Sequence, residues 1–183
     1  MEVVRKPLRV RERSRRTLDQ RLSLRFPRLV AAYARLIARL SPGSRLRQAF
    51  LRRGAQLSLE AYNRRDLDAV VIGWHRECEY RPDRNWVAAG LLEPAYRGLV
   101  GYRQYVASTA EVFAGEVYVK PLELIDLGSQ TVILAEAPMR AQASGIPLTE
   151  AWAIVSTLKD GQIIHHQEYF DHDEALRAVG LGE

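Results

Sequence analysis

An α+β fold is predicted by three observations. Between Phe26 and Phe113 several segments carry apolar residues at three- and four-residue spacing, as on helices. From Glu116 onward the pattern becomes strand-like, and the strand-length segments are separated by turn signals. The last of these signals, Asp160-Gly161, is the strongest short hairpin signal in the chain. Helices first and an antiparallel meander after them imply a strongly curved, cone-shaped antiparallel sheet closing over the helices, with a pocket between the two layers.

Taken in order, residues 1–14 have no apolar period and many arginines, which predicts a mobile tail. Phe26, Leu29, Val30, Tyr33, Leu36, Ile37 and Leu40 then form one face of a helix from Pro27 to Leu40, with Arg28, Arg35 and Arg39 on the other. Pro27 suits a first helical turn, and Ser41-Pro42-Gly43 stops the helix. A basic amphipathic helix of this kind docks by its apolar stripe on protein, or lies on a membrane surface.

Ser44 caps a second helix that buries Leu46, Phe50, Leu57 and Ala61 and ends near Tyr62-Asn63. Asp66 caps a short third helix with Leu67, Val70, Val71 and Trp74 inward. Cys78 to Arg81 is a strand ended by Pro82, and residues 83–97 form a loop. A helix runs from Gly98 through Phe113. Strands follow at Glu116 to Leu127, Thr131 to Gln142, Leu148 to Leu158 and Gln162 to Phe170, then a tail helix from Asp173 to Val179. The expected organisation is a basic N-terminal arm with an amphipathic helix, residues 1–43, and a cone domain, residues 44–183.

Composition narrows the function classes. With 47% hydrophobic residues the chain can build a core and is not disordered as a whole. Its single cysteine, Cys78, excludes an intrachain disulfide framework and a cysteine-type zinc site, and fits a reducing, cytoplasmic setting. No stretch reaches the roughly 18 uncharged apolar residues of a membrane span. The net charge of +5 conceals an asymmetry. Residues 1–53 hold 16 Lys+Arg against 3 Asp+Glu, a net +13, whereas residues 54–183 hold 11 against 19, a net −8. An acidic cone argues against nucleic-acid binding by that domain. The basic arm is expected to fold back on the acidic domain, contact a partner subunit or meet an anionic surface.

Four phrases, in order, resemble the SnoaL-like family of the nuclear transport factor two-like superfamily. They are Ala61-Tyr62-Asn63-Arg64-Arg65-Asp66-Leu67-Asp68-Ala69, Trp74-His75-Arg76-Glu77-Cys78-Glu79-Tyr80, Tyr96-Arg97-Gly98-Leu99-Val100-Gly101, and Lys159-Asp160-Gly161-Gln162-Ile163-Ile164 through Glu168-Tyr169-Phe170-Asp171. The resemblance runs from about Arg53 to Leu181. It implies a conical pocket for a small hydrophobic molecule and a homodimer paired through the outer sheet faces. The family spans polyketide cyclases, isomerases, dehydratases and epoxide hydrolases, so the chemistry has to come from the residues.

The last strand is the most informative segment. Alternation places Ile164, His166, Glu168 and Phe170 on one face, which the resemblance turns toward the cavity. Glu168 and His166 are the candidate catalytic pair, an acid or base with a proton-shuttling partner. By resemblance, Glu168 also falls where relatives carry an aspartate. The structural alternatives are an ion pair of Glu168 with Arg140 and a packing role for His166. Tyr80, Trp86, Tyr102, Trp152, Phe170 and Arg140 are the candidate ligand contacts. The epoxide-hydrolase pair is absent, since Ala135 and Ala137 fall at its positions. The ketosteroid-isomerase base is matched only by Asp83, one residue off, and its tyrosine is replaced by Ser58. His165, His166, Glu168, Asp171 and His172 alternate faces, so neither a shared metal nor a cofactor is expected. Three readings remain open: an isomerase, cyclase or dehydratase; a non-catalytic binding module; or a structural dimer recruited by its basic helix.

Overall fold

The computed structural model describes residues 3–11, 15–112, 117–140 and 147–182. The helical first half contains α1 (Leu18–Arg25), α2 (Pro27–Ala38), α3 (Arg45–Asn63) and α4 (Leu67–Val70), preceded by a short strand, β1 (Val4–Pro7). There follow β2 (Trp74–Arg81), α5 (Arg84–Ala88), β3 (Tyr96–Arg97) and α6 (Gly98–Val112). The meander is β4 (Lys120–Asp126), β5 (Gln130–Arg140), β6 (Pro147–Lys159) and β7 (Gln162–Tyr169), and α7 (His172–Ala178) closes the chain. All seven strands form one curved, unclosed sheet in the order β1-β4-β5-β6-β7-β2-β3. Every pairing is antiparallel except β2 against β7, which is parallel because helix-bearing chain separates the two strands.

Local chemistry explains the well-read elements. Ser44 Oγ accepts from the Arg47 amide at the start of α3, and Asp171 accepts from the Glu174 amide at the start of α7. The β6–β7 hairpin turns on Asp160 (φ 51°) and Gly161 (φ 76°), the two left-handed positions of a tight hairpin. A side chain at Gly161 would also collide with the Ala34 carbonyl, so this turn is where α2 rests on the sheet.

The sheet has two buried faces. Its inner face packs on α3, α4 and α6 through Leu59, Val70, Tyr102, Tyr105, Trp152 and Ile154, among others. Its outer face carries Ile125, Val132, Ala153 and Val155 against Ala175 and Val179 of α7.

The arm departs from expectation. Residues 4–7 are not a mobile tail but a strand on the β4 edge, with Val4 opposite Asp126 and Pro7 opposite Glu123. Pro7 is tolerated there because an edge strand has unpaired amide positions. Leu8 donates its amide to Leu122 O and is buried in the inner core. The helix α1, not anticipated, starts at a capping box of Thr17 and Gln20. Charge ties these parts to the acidic cone: Arg16 grips Asp66 with two bonds of 2.7 Å, and Arg53 reaches Asp19 at 2.8 Å. Buried Arg47 makes a bidentate pair with Asp126, at 2.7 and 2.8 Å, and also donates to Gly128 O. The helix α2 does not dock by the whole stripe expected of it. Of that stripe Ile37 is buried and Val30 and Leu40 are half-buried, beside buried Ala34, while Phe26, Leu29, Tyr33 and Leu36 stay exposed, so only one edge of the stripe docks. The small Ala34 is the side that can approach the hairpin backbone, and that contact sets the rotation of the helix.

Candidate functional site

Between the helices and the inner face of the sheet lies a mostly apolar cavity of about 330 Å³. Strand register assembles its polar end. Tyr80 of β2 stands beside His166 of β7, which stands beside Ser156 of β6, and Glu168 stands beside Ile154. Because side chains alternate, these residues share one face with Trp152 and with Thr131 and Ile133 of β5. The β6–β7 ladder slips by one residue between Thr157 and Leu158. That bulge brings Ile163, not the expected Ile164, to the cavity.

Glu168 is fully buried, at 2% exposure. Its Oε1 accepts hydrogen bonds from the Trp152 indole Nε1 at 2.7 Å and the Tyr105 hydroxyl at 2.8 Å. Its Oε2 is buried and has no hydrogen-bond partner among the described residues. Both donors are neutral. Burial pushes the carboxyl up to about 6, opposed by the bonds from Trp152 and Tyr105. The Arg140 side chain, considered as an ion-pair partner and a ligand contact, lies outside the described residues.

His166 is buried as well. Its Nδ1 lies 2.8 Å from Ser156 Oγ, and its ring packs 4.4 Å from the Trp74 ring. Its Nε2 is buried and has no hydrogen-bond partner among the described residues. Burial, with a smaller push from His165, drives the imidazole down to about 3. It is therefore neutral at physiological pH. The proton-shuttling role expected of His166 needs a protonated imidazole, a state that this environment disfavours. No hydrogen bond joins His166 to Glu168 among the described residues, although both line the cavity.

Phenols complete the polar end. Tyr80 and Tyr105 rings pack 4.4 Å apart, and Tyr80 and Tyr102 5.2 Å apart. Burial raises all three hydroxyls well above their ordinary range, and the Glu168 charge raises them further. They stay protonated and can act as hydrogen-bond donors. At another part of the wall Trp86 of α5 stacks on Phe170 at 4.4 Å. Tyr80, Trp86, Tyr102, Trp152 and Phe170 thus all line the cavity.

Other candidates are structural. Asp83 is buried, but both its oxygens are committed, to the amides of Asn85 and Phe170, so it caps α5 and clamps the end of β7. His172 Nε2 meets the carbonyls of Ala135 and Trp152. Among the described residues no three His, Cys, Asp or Glu side chains cluster as a metal site. Cys78 is buried and pushed up to about 12 by burial, which leaves it a thiol.

Sequence reasoning did not single out Tyr105 or Ser156 as site residues. Tyr105 had a legible signal, since it stands three residues from Tyr102 on one helix face. Ser156 had none, because its pairing with His166 depends on the bulged register.

No family model matches the chain, and no curated protein matches it. Solved structures do. TerC, crystallised with polyporic acid, aligns with a TM-score of 0.58 at 20% identity, covering 69% of this chain and 95% of that one. An NTF2-like protein of unknown function from Burkholderia pseudomallei aligns with a TM-score of 0.58 at 22% identity, over 70% of this chain and 95% of that one. A SnoaL-like protein of unknown function from Burkholderia thailandensis gives 0.52 at 16%, over 68% and 97%. These likenesses establish the architecture alone: the chain has the α+β fold of these proteins, a curved, unclosed sheet packed on helices. At such identities they carry no activity across.

Proposed function

We propose that this protein is a metal-independent enzyme that moves a proton on a small, largely apolar substrate bearing a carbonyl or hydroxyl oxygen. The observation that carries this reading is Glu168, a buried carboxyl in the wall of a mostly apolar cavity, pushed up to about 6, whose Oε2 has no hydrogen-bond partner among the described residues. Such a group is poised for proton transfer near neutral pH. Trp152 and Tyr105 hold Oε1 and fix the carboxylate's direction, so Oε2 takes the proton from an acidic C–H. Neutral His166 serves as a hydrogen-bond partner rather than a base. When the Ser156 hydroxyl donates to Nδ1, Nε2 carries the hydrogen and can donate to the substrate oxygen. The phenols of Tyr80 and Tyr102 supply further donors as negative charge develops on that oxygen. Returning the proton to another atom completes an isomerisation; loss of hydroxide or internal attack gives dehydration or cyclisation. Stacked Trp86 and Phe170 suit a flat ring.

Solvent deuterium exchange tests this reading. The wild type and Glu168→Gln are incubated in D₂O with a panel of small cyclic ketones and with any ligand that native mass spectrometry finds co-purified. Exchange at the carbon beside the carbonyl, lost in Glu168→Gln, supports proton transfer by Glu168. A retained ligand with equal exchange in the two proteins would instead make the cavity a binding module.

A further inference from the structure

The exposed surface of the arm helices carries a second message. Leu18, Leu22, Phe26, Leu29, Tyr33 and Leu36 recur at intervals of four, four, three, four and three residues across α1 and α2. All are exposed large hydrophobics; Leu22 is 58%, Leu29 67% and Leu36 60% accessible. On α2, Leu29, Tyr33 and Leu36 form one row, away from the face that buries Ala34 and Ile37. Arg28, Arg35 and Arg39 form a parallel row about 100° further round the helix, at 3.6 residues per turn. Arg21 and Arg25 on α1 and Arg45 at the start of α3 are exposed as well. Among the described residues none of these six arginines forms an ion pair, in contrast to Arg16, Arg47 and Arg53. Between Arg15 and Arg45 the only acidic residue is Asp19, and it is engaged by Arg53. An apolar stripe edged by unpaired cations is the pattern of a helix lying in a lipid headgroup region.

We propose that the α1–α2 face docks on an anionic lipid surface, its leucines entering the headgroup–acyl boundary and its arginines meeting lipid phosphates. Charge argues against a second copy as the occupant. A two-fold interface through this face would bring together two copies of a basic surface whose one acidic residue, Asp19, is already engaged by Arg53. An anionic membrane supplies both what the stripe and the row require. Val30 and Ala34 of the same helix line the cavity. Docking would therefore place the cavity beside a reservoir of apolar molecules, a consequence that does not depend on whether Glu168 is catalytic.

Co-sedimentation of the full chain with phosphatidylcholine vesicles, with and without phosphatidylserine, tests the proposal. The wild type should bind only the phosphatidylserine vesicles, and added salt should release it. Arg28→Gln/Arg35→Gln/Arg39→Gln should weaken binding on the order of 100-fold, from about a fivefold loss per surface cation. Leu29→Ser/Leu36→Ser, at exposed positions that leave the core untouched, should also abolish sedimentation with vesicles. Failure of the wild type to bind phosphatidylserine vesicles overturns the proposal, as does unchanged binding by the leucine variant. If sedimentation velocity instead shows self-association that the leucine variant loses, without vesicle binding, the face is an interface between copies and the lipid proposal falls.

Discussion

The Trp152 indole Nε1 stands 2.7 Å from Glu168 Oε1, a bond between neighbouring strands that aims a buried carboxylate without neutralising it. A cationic partner would have held Glu168 ionised far below neutrality. Two neutral donors on one oxygen leave burial as the largest influence, and the carboxyl rises to about 6.

Replacement of Glu168 by Gln preserves an oxygen acceptor for Trp152 and Tyr105 and removes the charge. The folded carboxyl sits at about 6 against an ordinary 4.5, so ionising it in the fold is penalised. The penalty is absent below about pH 4.5, grows up to about pH 6 and is complete above it. At about 1.4 kcal/mol per unit it amounts to about 2 kcal/mol. Glu168→Gln should therefore melt at or above the wild type at pH 8, with the advantage fading toward pH 4. A large drop in melting temperature at pH 8 would mean that Glu168 is a structural ion-pair member.

His166 has the opposite sign. Its folded value lies near 3, below an ordinary 6.5, so the unfolded chain takes up the proton first. Its contribution to stability is present above about pH 6.5 and is lost progressively as the pH falls toward 3. In His166→Gln the fall in urea-unfolding free energy between pH 6.5 and 4.5 should be shallower than in the wild type. Equal slopes would mean that His166 is solvated and titrates normally.

The Arg47–Asp126 pair joins α3 to the end of β4 with both partners buried. Asp126→Asn should cost ~3–5 kcal/mol, because it strands a buried guanidinium. Denaturant unfolding would register this as a fall in midpoint, and a change within experimental error would refute it.

The fold was legible where local chemistry and tertiary structure agree. The hairpin at Asp160-Gly161, the Ser44 cap and the period switch after α6 all express themselves within a few residues, whereas Asp66, expected to cap α4, makes no side-chain cap bond and pairs with Arg16 and Arg64 instead. Strand β1 was not legible, since Val4-Arg5-Lys6-Pro7 becomes a strand only because the β4 edge, more than a hundred residues away, needs a partner. The start of α1 was legible in Thr17-Leu18-Asp19-Gln20, a capping box hidden within an arginine-rich segment. At the site, alternation placed His166 and Glu168 on one face. It could not show that Trp152 points inward, that Tyr105 reaches Glu168 or that burial leaves the imidazole neutral. Those outcomes depend on register and desolvation, which no local pattern encodes. The exposure of Leu29 and Leu36 was missed for a related reason: the backbone contact at Gly161 chose Ala34 as the docking side.

We propose that two cones pair over the outer face of the sheet, where α7 packs among the described residues, to give a homodimer. Light scattering at micromolar concentration should return twice the 20.8 kDa chain mass. A single-chain mass would count against this arrangement.

The central claim is that Glu168 is a cavity-wall carboxyl held near 6 with Oε2 unpartnered among the described residues. Carbon-13 NMR of protein labelled at the glutamate carboxyl measures this directly, with the Glu168 signal assigned by its loss in Glu168→Gln. The account predicts one resonance titrating near pH 6, well above the other glutamates, and shifting when a cavity ligand is added. A Glu168 resonance that titrates at or below 4.5, or does not respond to such a ligand, would contradict it.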